Sequence, residues 1–163
     1  MSDTAAINTI DKRALRDCCG RFATGVTVIT TRTPEGDHGM TVSAFMSLSL
    51  DPPLICISVD NQAKMLPRIE AAGRYAVSVL PEHMRAHALH FAGKPEAGFT
   101  DLFEERHGLP VLREAGAVIV TELVQRIPAG DHVLLVGHVR HLSHDPLARP
   151  LLWHGGQFGS LAA

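Results

Sequence analysis

Two long stretches, 116–127 and 132–142, alternate apolar and polar side chains and are separated by Pro128-Ala129-Gly130-Asp131. Alternation at period two marks a half-buried strand, and a Pro/Gly/Asp turn between two such strands marks a hairpin. A hairpin of this length commits the chain to an antiparallel sheet. The segments around it agree. Residues 26–33 are rich in Val, Ile and Thr, and Pro34-Glu35-Gly36-Asp37 returns the chain into a strand running from about His38 through Leu50. Residues 54–59 and 75–80 read as further strands, and 151–153 and 157–161 as short ones around Gly155-Gly156. Helical spacing covers 11–21, with Leu15, Cys18, Cys19 and Phe22 on one face. It also covers 62–72, entered through Asp60-Asn61 and closed by Gly73, and 82–92, led by Pro81 and ended by Gly93. Residues 94–109 read as irregular, with one helical turn from Asp101. About seven strands in hairpin-like succession do not follow a βαβα rhythm. The predicted architecture is mainly β with helices (α+β): one domain over 1–163, an antiparallel barrel with helices packed outside.

Charge narrows the partners. The net charge of −2 comes from mixed signs with no block of like charge, which excludes a nucleic-acid footprint and a polybasic membrane patch. No apolar run approaches membrane-spanning length, and the opening MSDTAAINTIDKRAL has no basic-then-apolar pattern, so no signal peptide is expected. Cys18, Cys19 and Cys56 are odd in number and two are adjacent, which suits free thiols in a reducing compartment. A cytoplasmic location is the expectation.

The common nucleotide and nucleophile motifs are missing. There is no G-x-G-x-x-G, no G-x-x-x-x-G-K-[ST] and no G-x-S-x-G; Gly93-Lys94 runs into Pro95, which has no N–H to offer a phosphate. Among ten histidines, His83, His87 and His90 share a helical face at i, i+4 and i+7. No carboxylate or thiolate nearby completes a metal set, so they read as a wet face and no metal is predicted. His138, His141 and His144 would alternate across a strand. Cys56 reads as core, and Cys18 and Cys19 have no neighbouring base to activate them.

Three stretches carry unusual chemistry. Residues 39–54 place Thr41, Ser43, Ala44, Ser47 and Ser49 where a core strand would be bulky. This is either a Ser-rich edge strand or a surface on which a flat polar ligand lies close to the backbone. His132, in Gly130-Asp131-His132 at the hairpin mouth, is either a solvent-exposed turn residue or a side chain reaching over a pocket. Trp153-His154-Gly155-Gly156-Gln157-Phe158 sets two aromatics around two glycines, as a pocket wall for a planar ring or as a core latch.

Four stretches in order resemble the flavin reductase family with the FMN-binding split-barrel fold, the small reductase components of two-component flavin-dependent monooxygenases. They are Phe22-Ala23-Thr24-Gly25-Val26-Thr27-Val28; Gly39-Met40-Thr41-Val42-Ser43-Ala44-Phe45 with Ser47-Leu48-Ser49-Leu50-Asp51-Pro52-Pro53-Leu54; Gly130-Asp131-His132; and Pro150-Leu151-Leu152-Trp153-His154-Gly155-Gly156. The resemblance implies an NAD(P)H:flavin oxidoreductase, a homodimer with a flavin at each subunit interface, that supplies reduced flavin to a separate monooxygenase. It implies that Thr41, Val42, Ser43, Ala44, Ser47, Leu48 and Ser49 contact the isoalloxazine and ribityl chain. Asn61 and Lys64 would lie near the flavin phosphate, with Lys94 a further cofactor contact. His132 would be the catalytic position beside the nicotinamide, and Trp153, His154, Gly156 and Phe158 would close over that side. Ala63 and Met65 stand where many relatives carry Ser or Thr, which leaves Lys64 to supply charge, and Trp153 stands where Tyr or Phe is common. Hydride would pass from nicotinamide C4 to flavin N5, so the protein needs no nucleophile of its own. FMN and FAD, and NADH and NADPH, are equally open at this point. The alternative within the resemblance is a non-catalytic flavin-binding split-barrel protein, a sensor or carrier. An oxidase of the pyridoxamine-phosphate type would need an Arg/Lys-rich substrate site, which the Ser-rich stretch lacks. A metal-binding structural protein would depend on the helix histidines.

Overall fold

The structure, a computed structural model, describes residues 10–95 and 97–162. The expectation of no signal peptide rests largely on residues 1–9, which lie outside the described residues. In chain order the elements are α1 (Lys12–Cys19), β1 (Thr24–Gly25), β2 (Thr27–Thr33), β3 (Gly36–Val42), β4 (Phe45–Leu50) and β5 (Pro53–Asp60). Then come α2 (Met65–Ala72), β6 (Arg74–Val79), a 3-10 turn (Glu82–Met84) running into α3 (Arg85–Phe91), β7 (Phe103–Arg106) and β8 (Leu109–Leu112). The long strands β9 (Ala117–Ala129) and β10 (His132–His144) and the short β11 (Leu152–His154) and β12 (Gln157–Gly159) complete the chain.

Seven strands form one sheet in the order β3-β2-β6-β9-β10-β5-β4, every pairing antiparallel. Its two edge strands, β3 and β4, follow each other in the chain with only Ser43 and Ala44 between them. The sheet must therefore curl until its edges meet, and the Ser58 N–H donates to the Ala44 carbonyl at 3.1 Å near that seam. The length of β9 and β10 has a use: β6 pairs with residues 117–122 of β9, while β5 pairs with residues 132–138 of β10. One hairpin thus serves both halves of the barrel. Ile29, Ile57, Tyr75, Val77 and Leu135 fill the interior, and α2 adds Met65, Leu66 and Ile69 to it. A second buried cluster, with Val26, Leu80, Met84, Ala88 and Leu151, joins α3 to a small β1-β11-β12 sheet.

Five expectations change. The strand expected over 38–50 is two strands, broken where the Phe45 N–H turns back to the Ser43 carbonyl at 3.0 Å, because the chain must cross between sheet edges there. The segment 94–109, read as irregular, enters the β7–β8 hairpin, which turns at His107 and Gly108, both at positive φ. Pro110 inside β8 hides that strand from a propensity reading. Helix α2 begins at Met65, because the Asp60 carboxylate accepts from the Gln62 N–H at 2.7 Å in a turn that precedes the helix. Helix α1 is capped by Asp11, whose carboxylate accepts from the Ala14 N–H at 2.8 Å, but it buries none of its residues. Leu15 and Phe22 are 54% and 79% exposed. The strands, including short ones, number twelve among the described residues, more than the seven expected, because two-residue and three-residue ladders give no periodic signal.

Candidate functional site

The Ser43-Ala44 connection and the small C-terminal sheet face each other across two adjoining cavities. One, about 220 Å³, is walled by Val26, Thr41, Ser43, Ala92, Trp153 and Phe158. The other, about 380 Å³, is walled by Phe22, Ala23, Thr24, Gly25, Thr27, Ser43, Phe45 and Val79. Ser43 belongs to both. Local geometry fixes the walls. The Thr41 hydroxyl donates to the Ala88 carbonyl at 2.7 Å and ties the end of β3 to α3. Two residues earlier, Gly39 lies under Phe91; a Cβ there would come within 2.7 Å of the ring. Trp153 is held opposite Thr24 by the β1–β11 ladder and meets Phe158 edge-on at 4.9 Å.

The wall of the second cavity includes Thr24, whose hydroxyl is turned into the protein. Thr24 Oγ1 is buried and has no hydrogen-bond partner among the described residues. A buried hydroxyl without a partner costs about 1–3 kcal/mol. Thr41, Ser43 and the aromatic pair suit a flat heteroaromatic ring with polar edges.

The structure thus brings Thr41, Ser43, Trp153 and Phe158 together. The side chain of Val42 belongs to the barrel core, leaving only its backbone near the site. Ala44 is exposed beside Ser43. Ser47, Leu48 and Ser49 lie on the edge strand β4, with an irregularity in the ladder between Ser47 and Ser49, and line neither cavity. That strand exposes Met46, Leu48 and Leu50. His154 and Gly156 are exposed in the β11–β12 turn. Lys94 is exposed just beyond Gly93 and lines neither cavity.

His132 and Asn61 form a separate group at the β9–β10 turn. His132 pairs with Asp60 across the ladder, and its Nδ1 is 2.8 Å from the Asp131 carboxylate. That hydrogen bond, with the charge of His132 behind it, holds the Asp131 carboxyl below its usual range. The Asn61 amide donates to the Gly130 carbonyl at 3.3 Å, and its backbone N–H to the Asp131 carbonyl at 3.0 Å. Lys64 follows as the N-cap of α2 and makes no side-chain capping bond. A cation at the positive end of a helix favours the approach of an anion. His132 lines neither of the two cavities.

The helix histidines differ from the wet face expected of them. His87 meets Phe99 edge-on at 4.9 Å, and His90 stacks on it at 5.2 Å. Burial, then the neighbouring His83, lowers the pKa of His87. His83 faces Glu114 at 3.7 Å. Among the described residues no three His, Cys, Asp or Glu side chains gather as a metal site.

Sequence reasoning missed Thr24, Gly25 and Phe45 as site residues. Thr24-Gly25 entered the reading only as part of the motif from Phe22 to Val28, and that position was the available signal. A family profile described as a flavin reductase like domain matches residues 19–162. The chain belongs to the flavin reductase family. It is 42% identical over 150 residues to an NADH-dependent flavin reductase of a Rhodococcus species, covering 90% of this chain and 85% of the relative. It is 42% identical over 142 residues to the reductase component of 4-hydroxyphenylacetate 3-monooxygenase from Thermus thermophilus, covering 87% and 91%. Among solved structures, flavin reductase PheA2 matches with a TM-score of 0.91 at 42% identity, over 94% of this chain and 100% of that one. The barrel of this flavin reductase is therefore the split barrel that its motifs implied. Two of those motifs, around Thr24 and Ser43, meet a third at Trp153, while Gly130-Asp131-His132 lies at the other group.

Proposed function

We propose that this flavin reductase holds its flavin ring in the gap where Thr24, Thr41 and Ser43 face Trp153 and Phe158. The activity is NADH-dependent reduction of a flavin, and the reduced flavin is supplied to a separate monooxygenase. The observation that carries the site is Ser43, shared by two adjoining cavities, one of which sets it and Thr41 against Trp153 and Phe158. The nicotinamide and the flavin supply the hydride chemistry when bound. The chain's own work is to stack the two rings, offer hydroxyl and N–H partners to polar edges, and keep water out. FMN and FAD both fit this reading, because the ring site precedes the point where they differ. NADPH is the second candidate reductant beside NADH.

The same reading gives Asn61 and Lys64 the flavin phosphate; His132, which lines neither cavity of its own chain, would reach the nicotinamide side at Trp153 across the interface of the proposed homodimer. With Nδ1 committed to Asp131, His132 offers Nε2 to a ligand. Replacing His132 with alanine should raise the nicotinamide KM several-fold, on the order of one lost hydrogen bond, and leave the flavin KM in place. An unchanged nicotinamide KM would remove this role. A homodimer accounts for the apolar side chains left in solvent on α1 (Leu15) and just beyond it (Phe22), on β4 (Met46, Leu48, Leu50) and on β10 (Leu142). The reading keeps the cytoplasmic location, consistent with three free thiols, one of them buried with its pKa pushed up by desolvation. No helix among the described residues is long and apolar enough to cross a membrane.

The test is anaerobic mixing of catalytic amounts of protein with NADH or NADPH and an excess of FMN or FAD, followed by visible flavin absorbance. Rapid bleaching is expected, and its rate ranks both pairs of cofactors. Stable, bound flavin that does not bleach would favour the carrier or sensor reading.

A further inference from the structure

A third cavity, about 550 Å³, lies beyond Trp153, between the C-terminal end of α1 and the β11–β12 turn. Its walls include Arg16, Asp17 and Arg21 on one side and Trp153, Gly155 and Gly156 on the other. The two sides are locked together, since the Gly155 N–H donates to the Gly20 carbonyl at 2.9 Å. Gly155 has φ +57, and a Cβ there would stand 2.5 Å from Arg21 Nη2. Glycine is what lets the guanidinium lie against the turn.

Arg32, Arg106, Arg113, Arg126, Arg140 and Arg149 each face a carboxylate. Arg16 and Arg21, like Arg68, Arg74 and Arg85 elsewhere, form no ion pair among the described residues, but only these two share a cavity wall with Trp153. The acidic residue of the same cavity, Asp17, leans towards Arg13 at 4.0 Å. Two guanidinium groups on one concave wall, without an ion pair among the described residues, suit a group with several anionic oxygens, which arginine engages through paired N–H donors.

Trp153 walls both this cavity and the one that holds Thr41 and Ser43. A ligand with a ring beside Trp153 therefore meets the arginines with the part that follows the ring. We propose that Arg16 and Arg21 bind the diphosphate of the reduced nicotinamide dinucleotide, an inference that rests on placing the nicotinamide at Trp153. The flavin phosphate is assigned to the separate Asn61 and Lys64 group. The 2′-phosphate of NADPH lies a further ribose away from the ring than the diphosphate does.

The test uses Arg16→Gln, Arg21→Gln and the double variant in the full chain. Both positions are exposed, so the barrel core is untouched. Trp153 is the chain's only tryptophan, so its fluorescence reports NAD⁺ binding without turnover. Each single variant should weaken NAD⁺ binding and raise the NADH KM about tenfold, the size of one lost charge-assisted contact. Turnover with reduced nicotinamide riboside, which has no phosphate, and the flavin KM should stay at wild-type values. Asp17→Asn should tighten NADH. Unchanged NAD⁺ affinity in the double variant overturns the proposal. So does an effect confined to NADPH, an effect on the flavin KM instead, or an equal loss with the riboside. Wild-type protein that binds NAD⁺ through these arginines yet reduces no flavin would sink the reductase reading and leave this one standing.

Discussion

Ser43→Trp is expected to abolish flavin binding while the protein melts as before. Ser43 sits on the two-residue connection between β3 and β4 and belongs to the walls of both cavities of the proposed ring site. Its side chain is exposed, and its structural duty is carried by its carbonyl, which accepts from the Phe45 N–H at 3.0 Å. An indole on the same backbone keeps that bond and fills the space a flat ring would occupy. Flavin affinity should fall at least about a hundredfold, roughly 2.7 kcal/mol of binding free energy. Fluorescence titration with FMN and FAD reads the loss, and a thermal melt checks the fold. Near-normal affinity in a folded variant would move the ring elsewhere, with the exposed face of β4 the next place to look. Turnover adds a second reading: the variant should fail with NADH and with any other hydride donor alike.

The fold was legible where local chemistry and tertiary placement agree. The β9–β10 hairpin announced itself through alternation and Pro128-Ala129-Gly130-Asp131, and the barrel needs it for a reason the alternation does not contain: both half-sheets hang from it. Strand β8 was not legible, because all four of its residues are buried and one is Pro110, so it has neither alternation nor a full set of donors. The site was half legible. Thr41, Ser43, Trp153 and Phe158 were singled out by composition and do meet. Thr24 was named only within a motif, and only the β1–β11 ladder, spanning almost the whole chain, reveals that it faces Trp153. Arg16 and Arg21 were not read as a pair at all. Five residues apart on and just after a helix, they become one wall only when Gly155 arrives from the far end of the sequence. Pairings set by distant segments leave no trace in local periodicity, which is why the motif order carried more information than any single stretch.

The largest effect on stability should come from a position with no part in binding. Gly137 lies in β10, opposite Ile55 of β5 and Leu123 of β9, next to a shift in the ladder. A Cβ there would stand 2.5 Å from the Tyr75 hydroxyl and 2.8 Å from Cβ and Oγ1 of Thr121. Neither neighbour is free to retreat. Tyr75 is wholly buried, and its hydroxyl donates to the Leu135 carbonyl at 3.2 Å. The Thr121 hydroxyl donates to the Tyr75 carbonyl at 2.8 Å. Overpacking a close-packed core costs about 1–3 kcal/mol, and displacing the tyrosine leaves a buried hydroxyl unpaired at a similar further cost. Gly137→Val should therefore lose roughly 3–5 kcal/mol, a large share of the 5–15 kcal/mol typical of a domain. Gly137→Ala should lose less, and denaturant midpoints measure both. The companion variant Tyr75→Phe removes the closest atom. In the Gly137→Ala background it should recover part of the loss, so that the two changes are less than additive. A midpoint for Gly137→Val at the wild-type value would mean that the strand shifts to make room. Strictly additive losses in the double variant would place the clash on Thr121 instead of the tyrosine hydroxyl.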